Sequence, residues 1–406
     1  MKSSRLGVGR AVRGQSATVW SCLFVLFVGL MGVGTVDPLL PSIATHLHAS
    51  ASQVEGLFIG YFLVQAVVMA FSAPLTARFG TRKVISVGLA LSCLCAIAVG
   101  LSSDIGAISA IRVVWGLGNS LMISSSLAIM MGAATGGAAT GVLLYEAALG
   151  CGFALGPVFG GTLGQLYWRA PFFGNALLTL CGFICACFVM KHPPRHRGAA
   201  GPLPTWWGGY KALGRPKVLG VSIISMLYNF GYFMVIAFGP FAIGGSPLVI
   251  GMVFVLWGVC FAIGSILLAH PLMARLGRVG CTVTTLLVFA ALFLGATLTG
   301  TTGTRVLLVL TGLCIGIQNT LFTTVVVTVD DKTPRWAITG AFNVLRWLGA
   351  ALAPLTAGYL TAAFGPAGPF RVAAAVQVLA LVLALCCTRA FRPSTPETAH
   401  GDGAKC

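Results

Sequence analysis

Twelve apolar stretches, each about 20 residues long, run through the 406-residue sequence and constrain its fold more than any other feature. A helix of this length crosses the roughly 30 Å hydrocarbon core of a bilayer. Helices also satisfy their own backbone hydrogen bonds in lipid, so the pattern predicts an all-α polytopic membrane protein. A count of ten or eleven crossings would require two stretches to be re-entrant. We number the stretches as spans one to twelve, with approximate bounds at 18–40, 54–75, 84–102, 106–129, 140–163, 171–190, 218–239, 249–269, 281–300, 304–328, 338–362 and 369–389.

The composition excludes a soluble fold. Hydrophobic residues make up 57% of the chain and charged residues 8%, whereas soluble globular proteins carry about 25% charged residues. Soluble domains built from this chain would have too few polar groups to cover their surfaces.

The distribution of cations explains the formal net charge of +17, which by itself would also suggest nucleic-acid binding. Assigned loop by loop, 20 of the 25 Lys and Arg residues lie on the side that holds both termini. Arg169, Arg305 and Arg371 fall on the other side, and Arg112 and Arg346 fall inside spans. The positive-inside rule therefore predicts cytoplasmic N- and C-termini. We expect a multi-pass protein of the cell membrane that is surrounded by lipid and has no nucleic-acid partner.

A polar linker and an internal repeat divide the chain into two six-helix bundles. Residues 191–217 interrupt the apolar pattern with Pro, Gly and cations, which is typical of a cytoplasmic linker. The flanking segments repeat at a constant offset of 197 residues, as Pro157 and Pro354 illustrate. Two parallel six-helix repeats are the architecture of secondary transporters. The predicted divisions are an N-terminal tail at 1–17, a first bundle at 18–190, the linker at 191–217, a second bundle at 218–390 and a C-terminal tail at 391–406.

Span five carries a ten-residue pattern of small residues, Gly-x-x-x-Gly-Pro-x-x-Gly-Gly. Its defined positions are Gly152, Gly156, Pro157, Gly160 and Gly161. Glycines four residues apart form a smooth helix face that lets another helix approach closely, and proline loosens the helix locally. A purely packing role for these glycines is the alternative to a functional one.

Two further patterns involve cations. Between spans two and three, Arg78, Gly80, Arg82 and Lys83 combine a tight glycine turn with a cluster of positive charge. In span four, Arg112 precedes a Gly-x-Gly pattern inside the apolar region. A charge there costs roughly 2.5–3.5 kcal/mol and calls for a partner within the bundle. The alternatives are loop cations that set topology alone and an arginine that extends to the outer interface.

These three patterns resemble those of the major facilitator superfamily over essentially residues 15–392, and within it those of the twelve-helix drug:proton antiporters. The pattern in span five matches the antiporter motif at every defined position. The loop pattern resembles the cytoplasmic gating loop of the superfamily but has Ala73 and Ala77 in place of the usual Gly and acid. The usual salt bridge from that acid is therefore absent. The resemblance implies a transporter rather than an enzyme, and proton-coupled efflux of a small amphipathic compound.

Asp37 in span one and Glu146 in span five are the candidates to carry the coupling proton, since the other six of the eight acids lie in loops, in the tail or at a span end. Asp37 and Arg112 fall at similar depth and are predicted to pair, although Asp37 is also suited to cap the helix end at Pro38. Glu146 lies two turns inside span five, and a buried carboxyl suits a group that binds and releases a proton. Arg346 in span eleven has a similar depth and is its candidate partner. The alternative for Glu146 is a neutral carboxyl that is hydrogen-bonded for packing.

An amphipathic pocket between the bundles is expected to hold the substrate while the two halves rock about a central site. Polar and aromatic residues near the span centres are the candidates to line it: Tyr61, Gln65, Tyr228, Asn229, Tyr232, Gln318 and Asn319. The expected energy source is the proton gradient, because the chain lacks the Gly-x-x-x-x-Gly-Lys-Ser/Thr pattern of ATP-driven motors.

We expect neither a cofactor nor a metal, since the 13 cysteines lie mostly within spans and no His or carboxylate accompanies them there. The partners are expected to be protons and a small-molecule substrate, and the chain is expected to act as a monomer. A gradient-driven transporter of a sugar or another metabolite is the alternative function.

Overall fold

The computed structural model describes residues 14–190, 204–326, 328–330 and 332–391. Within them, regular structure is entirely helical. The α-helices are α1 (Ala17–Gly34), α2 (Leu40–His46), α3 (Ala51–Met69), α4 (Ser72–Phe79), α5 (Thr81–Leu101), α6 (Ile105–Ala133), α7 (Ala138–Leu166), α8 (Ala170–Phe188), α9 (Gly208–Ala212), α10 (Pro216–Ile243), α11 (Pro247–Ala262), α12 (Ala269–Leu298), α13 (Thr301–Val326), α14 (Arg335–Phe364) and α15 (Gly368–Cys386). Short 3-10 helices lie at Asp37–Leu39 and Thr388–Ala390, and a π-helical segment lies at Ile263–Leu268.

The number of membrane crossings depends on how broken helices are counted. Within the described residues, ten helical segments are long and apolar enough to cross a membrane, or eleven when the bent pair α3 and α4 counts as one. The longest segment, Leu248–Leu298, has 51 residues and as a straight helix would measure about 75 Å, more than twice the hydrocarbon core. It is broken at Gly277, whose φ of 70° and ψ of 171° are not helical. Predicted spans eight and nine are its two arms, and the all-α membrane fold is confirmed.

Predicted span two is two helices rather than one. The axes of α3 and α4 differ by 62° across a short break at Ala70 and Phe71. Pro74 has no N–H to offer the carbonyl of Ala70. The hydroxyl of Ser72 donates to the carbonyl oxygen of Met69 at 2.9 Å, and such side-chain bonds compete with the helical ladder. Local side-chain chemistry therefore bends the chain in the middle of an apolar stretch.

α7 and α14 each contact the first helix of their own bundle and one helix of the other bundle. α7 packs against α1 and, across the interface, against α11; α14 packs against α10 and, across the interface, against α3. A Cβ atom at Gly152 of α7 would lie 2.8 Å from Cβ of Leu30 on α1, and one at Gly349 of α14 would overlap the backbone of Met226 on α10. Gly152 and Gly349 are 197 residues apart, so the repeat recurs in the packing. The two six-helix bundles meet along these two helix pairs.

The short helix α9 bridges the bundles at the ends that carry the basic loops. Gly209 packs against Ala70 at the bend between α3 and α4. Gly208 packs against the ring of Trp336 at the start of α14. α9 belongs to the predicted linker, so the linker is attached to both bundles rather than free of them.

Parts of the predicted tails and of the linker lie outside the described residues, namely 1–13, 191–203 and 392–406. α1 begins at Ala17, α8 ends at Phe188 and α10 begins at Pro216. The division of the chain into tails, bundles and linker, and the side of the membrane on which the termini lie, stay predictions.

Candidate functional site

A cavity of about 340 Å³ lies between the two bundles. It extends from the middle of the spans to their ends beside the basic loops, where Thr76 of α4, Met131 of α6 and Arg335 of α14 line it. Its volume is at the low end of the range for drug-sized ligands. The other lining residues are Met69, Ser72, Ala73, Ile123, Ser124, Leu127, Ala128, Tyr145, Leu149, Phe153, Tyr232, Phe233, Thr323, Val326, Trp336, Thr339, Gly340, Phe342, Asn343, Arg346 and Trp347.

Packed aromatic rings form the end of the cavity at mid-span. The ring centroid of Phe233 on α10 lies 4.7 Å from that of Phe62 on α3 and 4.6 Å from that of Tyr232. Trp347 of α14 stacks on Phe62 at 5.7 Å, and Phe153 of α7 meets Tyr232 edge-on at 6.0 Å. Phe62 and Phe153 belong to the first bundle and the other three rings to the second. The rings therefore join the bundles at the mid-span end of the cavity.

The carboxylate of Glu146 on α7 is bound by residues of the opposite bundle. The side-chain amide of Asn319 on α13 donates to Oε2 of Glu146, and the hydroxyl of Thr323 donates to Oε1 at 3.2 Å. The guanidinium of Arg346 on α14 donates to Oδ1 of Asn319 at 2.5 Å. The structure thus brings the candidate partners Glu146 and Arg346 together through the amide of Asn319, which was predicted as a pocket residue.

Arg346 and Glu146 differ in their access to the cavity. Arg346 lines it, with its guanidinium carbon 5.9 Å from the ring centroid of Trp347. Glu146 is 3% exposed and does not line it. Of the four hydrogen-bonded groups, Arg346 and Thr323 therefore line the cavity, while Glu146 and Asn319 lie behind them.

Arg112 lies in the core of the first bundle, against three aromatic rings. Its guanidinium carbon lies 4.5 Å from the ring centroid of Tyr61, 5.2 Å from that of Trp115 and 5.5 Å from that of Phe58. Its Nε donates to the carbonyl oxygen of Leu57 at 3.3 Å. The guanidinium is therefore held inside the bundle and does not extend to the outer interface. The side chain is 1% exposed.

Asp37 lies in the 3-10 helix that follows α1 and is 1% exposed. Within the described residues, its Oδ1 and the terminal nitrogens of Arg112 make no hydrogen bond. The two side chains are both buried in the first bundle and their charges interact, although these atoms are not joined by a hydrogen bond.

Arg112→Lys is expected to destabilise the purified protein by about 1–2 kcal/mol, because lysine keeps the charge but loses the planar face that contacts the three rings. Thermal unfolding in detergent measures the effect. Arg275→Lys, at an exposed position of α12, is the matched control. Equal melting temperatures for the two variants would show that the ring contacts of Arg112 contribute little.

The small-residue motif of α7 forms a seam with α1. A Cβ atom at Gly152 would meet the carbonyl oxygen of Phe27 at 2.9 Å, and one at Gly156 would meet that of Met31 at 2.6 Å. A Cβ atom at Gly160 would overlap the carbonyl oxygen of Thr35. Three successive turns of α7 are therefore in backbone contact with α1.

Other small residues of α7 face the second bundle. A Cβ atom at Gly251 of α11 would lie 2.9 Å from the carbonyl oxygen of Pro157, and one at Gly258 would overlap Ala154. Gly161 is also buried. The motif thus lies between α1 of its own bundle and α11 of the other.

The predicted gating loop joins helices of the same bundle. Gly80 has a φ of 85°, which favours glycine, at the turn between α4 and α5. Nε of Arg82 donates to the carbonyl oxygen of Ala186 near the end of α8 at 3.1 Å. Arg78 lies 5.7 Å from the ring centroid of Phe79, and Lys83 is exposed. In the part of the chain that the structure describes, these contacts of the loop lie within the first bundle.

The seven predicted pocket residues have different surroundings. Tyr232 lines the cavity, and Asn319 binds Glu146. Three others make hydrogen bonds within the second bundle. The hydroxyl of Tyr228 donates to the carbonyl oxygen of Ile315 at 2.9 Å, and the amide of Gln318 donates to the hydroxyl of Thr285 at 2.6 Å. The amide of Asn229 donates to the carbonyl oxygen of Ser225 at 2.8 Å. Tyr61 and Gln65 lie buried in the first bundle, Tyr61 against Arg112.

Several lining residues were missed from the sequence. Tyr145, Phe233 and Trp347 line the cavity, and each directly neighbours a predicted site residue in the chain. Asn343, the repeat equivalent of Glu146, lines it as well. Adjacency to a buried ionisable residue was the available signal, but the sequence does not tell which neighbour faces the interface.

The sequence matches the family model described as Major Facilitator Superfamily over residues 22–354. It is 35% identical to the "Multidrug efflux protein YfmO" of Bacillus subtilis over 386 residues, which cover 95% of this chain and 96% of that protein. It is also 24% identical to the "Tetracycline resistance protein, class C" of Escherichia coli, over 61% of this chain and 65% of that protein.

Solved structures share the fold. The human organic anion transporter MFSD10 (TETRAN) superimposes with a TM-score of 0.71 at 18% identity, covering 91% of this chain and 99% of that one. A bacterial homologue of the human lysosomal transporter Spinster, solved in an inward-facing and unoccupied conformation, gives a TM-score of 0.70 at 15% identity over 92% of this chain and 95% of that one.

Proposed function

The chain belongs to the major facilitator superfamily, and on this premise we propose that it exports small amphipathic compounds in exchange for protons. Membership makes it a multi-pass membrane transporter of small molecules and not an enzyme. Export is supported by the relative named as a multidrug efflux protein, which matches along nearly its whole length. It is also supported by the complete small-residue motif in α7, which resembles that of antiporters.

The observation that carries proton coupling is the hydrogen-bonded chain from Glu146 through Asn319 to Arg346, which crosses the bundle interface. Hydrogen bonds to an ionised carboxylate are roughly twice as strong as those to a neutral group. Ionised Glu146 therefore holds the bundles in the arrangement in which the cavity reaches the basic loops. Uptake of a proton weakens this link, and loss of the proton restores it.

In the proposed cycle, the substrate and the proton act one after the other on the hydrogen-bonded chain from Glu146 to Arg346. A compound that enters the cavity competes with Asn319 for the guanidinium of Arg346. It thereby removes the support that Arg346 gives to the bond from Asn319 to Glu146, which crosses the interface, and the bundles open towards the outside. After the compound leaves, an external proton neutralises Glu146, so that no unpaired charge has to enter the closing interface during the return. The proton then leaves to the cytoplasm and the bond to ionised Glu146 forms again. With neither ligand bound, the link stays formed and the empty carrier does not pass protons. The proposal places both termini and the basic loops in the cytoplasm, so the cavity faces the cytoplasm here.

Collapse of the proton gradient tests the exchange. Cells that overproduce the wild type are first screened for growth on a panel of toxic aromatic compounds, and the compound with the strongest protection becomes the probe. In everted vesicles energised by respiration, uptake of this probe is expected to stop when a protonophore collapses both the pH difference and the membrane potential. Uptake that continues unchanged would rule out proton exchange. Accumulation of the probe in intact cells only when the wild type is present would identify an importer of metabolites instead.

A further inference from the structure

The charge that lines the cavity has one sign. Among the described residues that line it, Arg335 and Arg346 carry charge, and both are cationic. Glu146, the acid linked to Arg346, accepts from Asn319 with one carboxylate oxygen and from Thr323 with the other. Its carboxylate therefore does not border the cavity. Arg335 is exposed to solvent, whereas Arg346 is partly buried beside the ring of Trp347. A positively charged ligand in contact with Arg346 is repelled by its guanidinium.

The walls suit a flat apolar body. Tyr145 and Phe153 come from the first bundle, and Tyr232, Phe233 and Trp347 come from the second. Their rings offer faces and edges on which an aromatic molecule stacks with little loss of conformational entropy. Trp336 lines the end beside the basic loops.

Arg346 is placed to receive an oxygen atom. The guanidinium has five N–H donors in a planar fork and no acceptor. One of its terminal nitrogens donates to Asn319, and the side chain is only partly buried where it lines the cavity. An oxygen on a ligand can therefore bind the remaining donors, and it can also compete with Asn319.

We propose that the transported compound is an aromatic molecule without positive charge that presents an oxygen acceptor, such as a carboxylate, phenolate, carbonyl or hydroxyl group, to Arg346. This assignment rests on the proposed export function and names its substrate class. Binding of the oxygen to Arg346 is also the step that loosens the link to Glu146. A lipophilic cation is expected to bind less tightly, because it meets the guanidinium of Arg346 in the lining.

Three matched probes test the assignment on the purified full-length chain in lipid nanodiscs. Anthracene methanol, anthracene carboxylate and anthracenylmethyl trimethylammonium share one ring system and differ in charge. Quenching of tryptophan fluorescence reports binding, since Trp336 and Trp347 line the cavity, and empty nanodiscs correct for partition into lipid. The alcohol and the carboxylate are expected to bind at least about tenfold more tightly than the trimethylammonium compound.

Two variants locate the effect. Arg346→Gln is expected to weaken binding of the anthracene carboxylate about tenfold. The difference in affinity between the carboxylate and the trimethylammonium probe should therefore become smaller. Arg275→Gln, which removes an exposed cation outside the cavity, is expected to leave all three affinities unchanged. If the cation binds as tightly as the other probes, or if Arg346→Gln leaves the preference intact, the assignment is wrong. These equilibrium measurements use no gradient, so they fail or succeed independently of proton exchange.

Discussion

Glu146→Gln is expected to abolish gradient-driven export while leaving the protein folded. Glutamine keeps an acceptor oxygen for Asn319, and its amide N–H can donate to the hydroxyl of Thr323. It has no proton to bind or release. Active accumulation of the probe in energised everted vesicles should fall at least about tenfold, the change that corresponds to ~1.4 kcal/mol. The variant resembles the protonated carrier permanently, so it should still exchange probe for probe across the membrane without a gradient.

The matched control is Asp104→Asn. Asp104 caps the start of α6 through Oδ2, and asparagine is also a good N-cap residue. This variant loses one carboxylate away from the cavity and should transport as the wild type does. Full gradient-driven transport by Glu146→Gln would remove this residue from the coupling mechanism. Loss of probe exchange together with active transport would point to a folding defect.

Gly160→Leu is expected to have the largest effect on stability. The added side chain enters the position of the carbonyl oxygen of Thr35 on α1, and neither backbone can move without separating α7 from α1. Overpacking of this kind costs typically 1–3 kcal/mol and occasionally more. We expect a clear fall in the melting temperature in detergent and little transport. Gly160→Ala should show a smaller fall in the same direction.

Gly132→Leu is the control, because it makes the same replacement at a glycine that has no close neighbour. Gly132 lies in α6, and a Cβ atom there would have no neighbour within 4 Å. Its replacement should leave stability unchanged or raise it slightly, since glycine is a poor helix former. Equal melting temperatures for the Gly160→Leu and Gly132→Leu variants would show that the seam between α7 and α1 is not close-packed.

The apolar pattern predicted the fold, because a bilayer permits little besides helices of sufficient length. It did not predict the bend in span two, which depends on Pro74 and on a single hydroxyl bond from Ser72. The scarcity of acids isolated Glu146, since eight acids in 406 residues leave few to consider. Asn319 was named only as a possible pocket residue, because its bond to Glu146 joins residues 173 positions apart.

Depth along a span predicted which charges come near each other but not which contacts they make. Asp37 and Arg112 fall at similar depth and their charges interact. The guanidinium nevertheless packs on the rings of Phe58, Tyr61 and Trp115. Depth gives one coordinate of a side chain, and the direction it faces depends on how the helices are rotated about their axes. For the same reason, the sequence did not predict that Phe233 and Trp347 line the cavity.

The contact of α7 with α11 has a mechanical consequence. Gly251 and Gly258 meet Pro157 and Ala154 there, so two of its contacts join only small residues, while the ring of Phe261 packs against Gly150. Helices that meet through such smooth surfaces can slide or tilt by a fraction of a turn without lifting bulky groups out of one groove and into the next. Resistance to such sliding is therefore expected from the interlocking groups of the interface, among them the ring of Phe261 and the bond from Asn319 to Glu146.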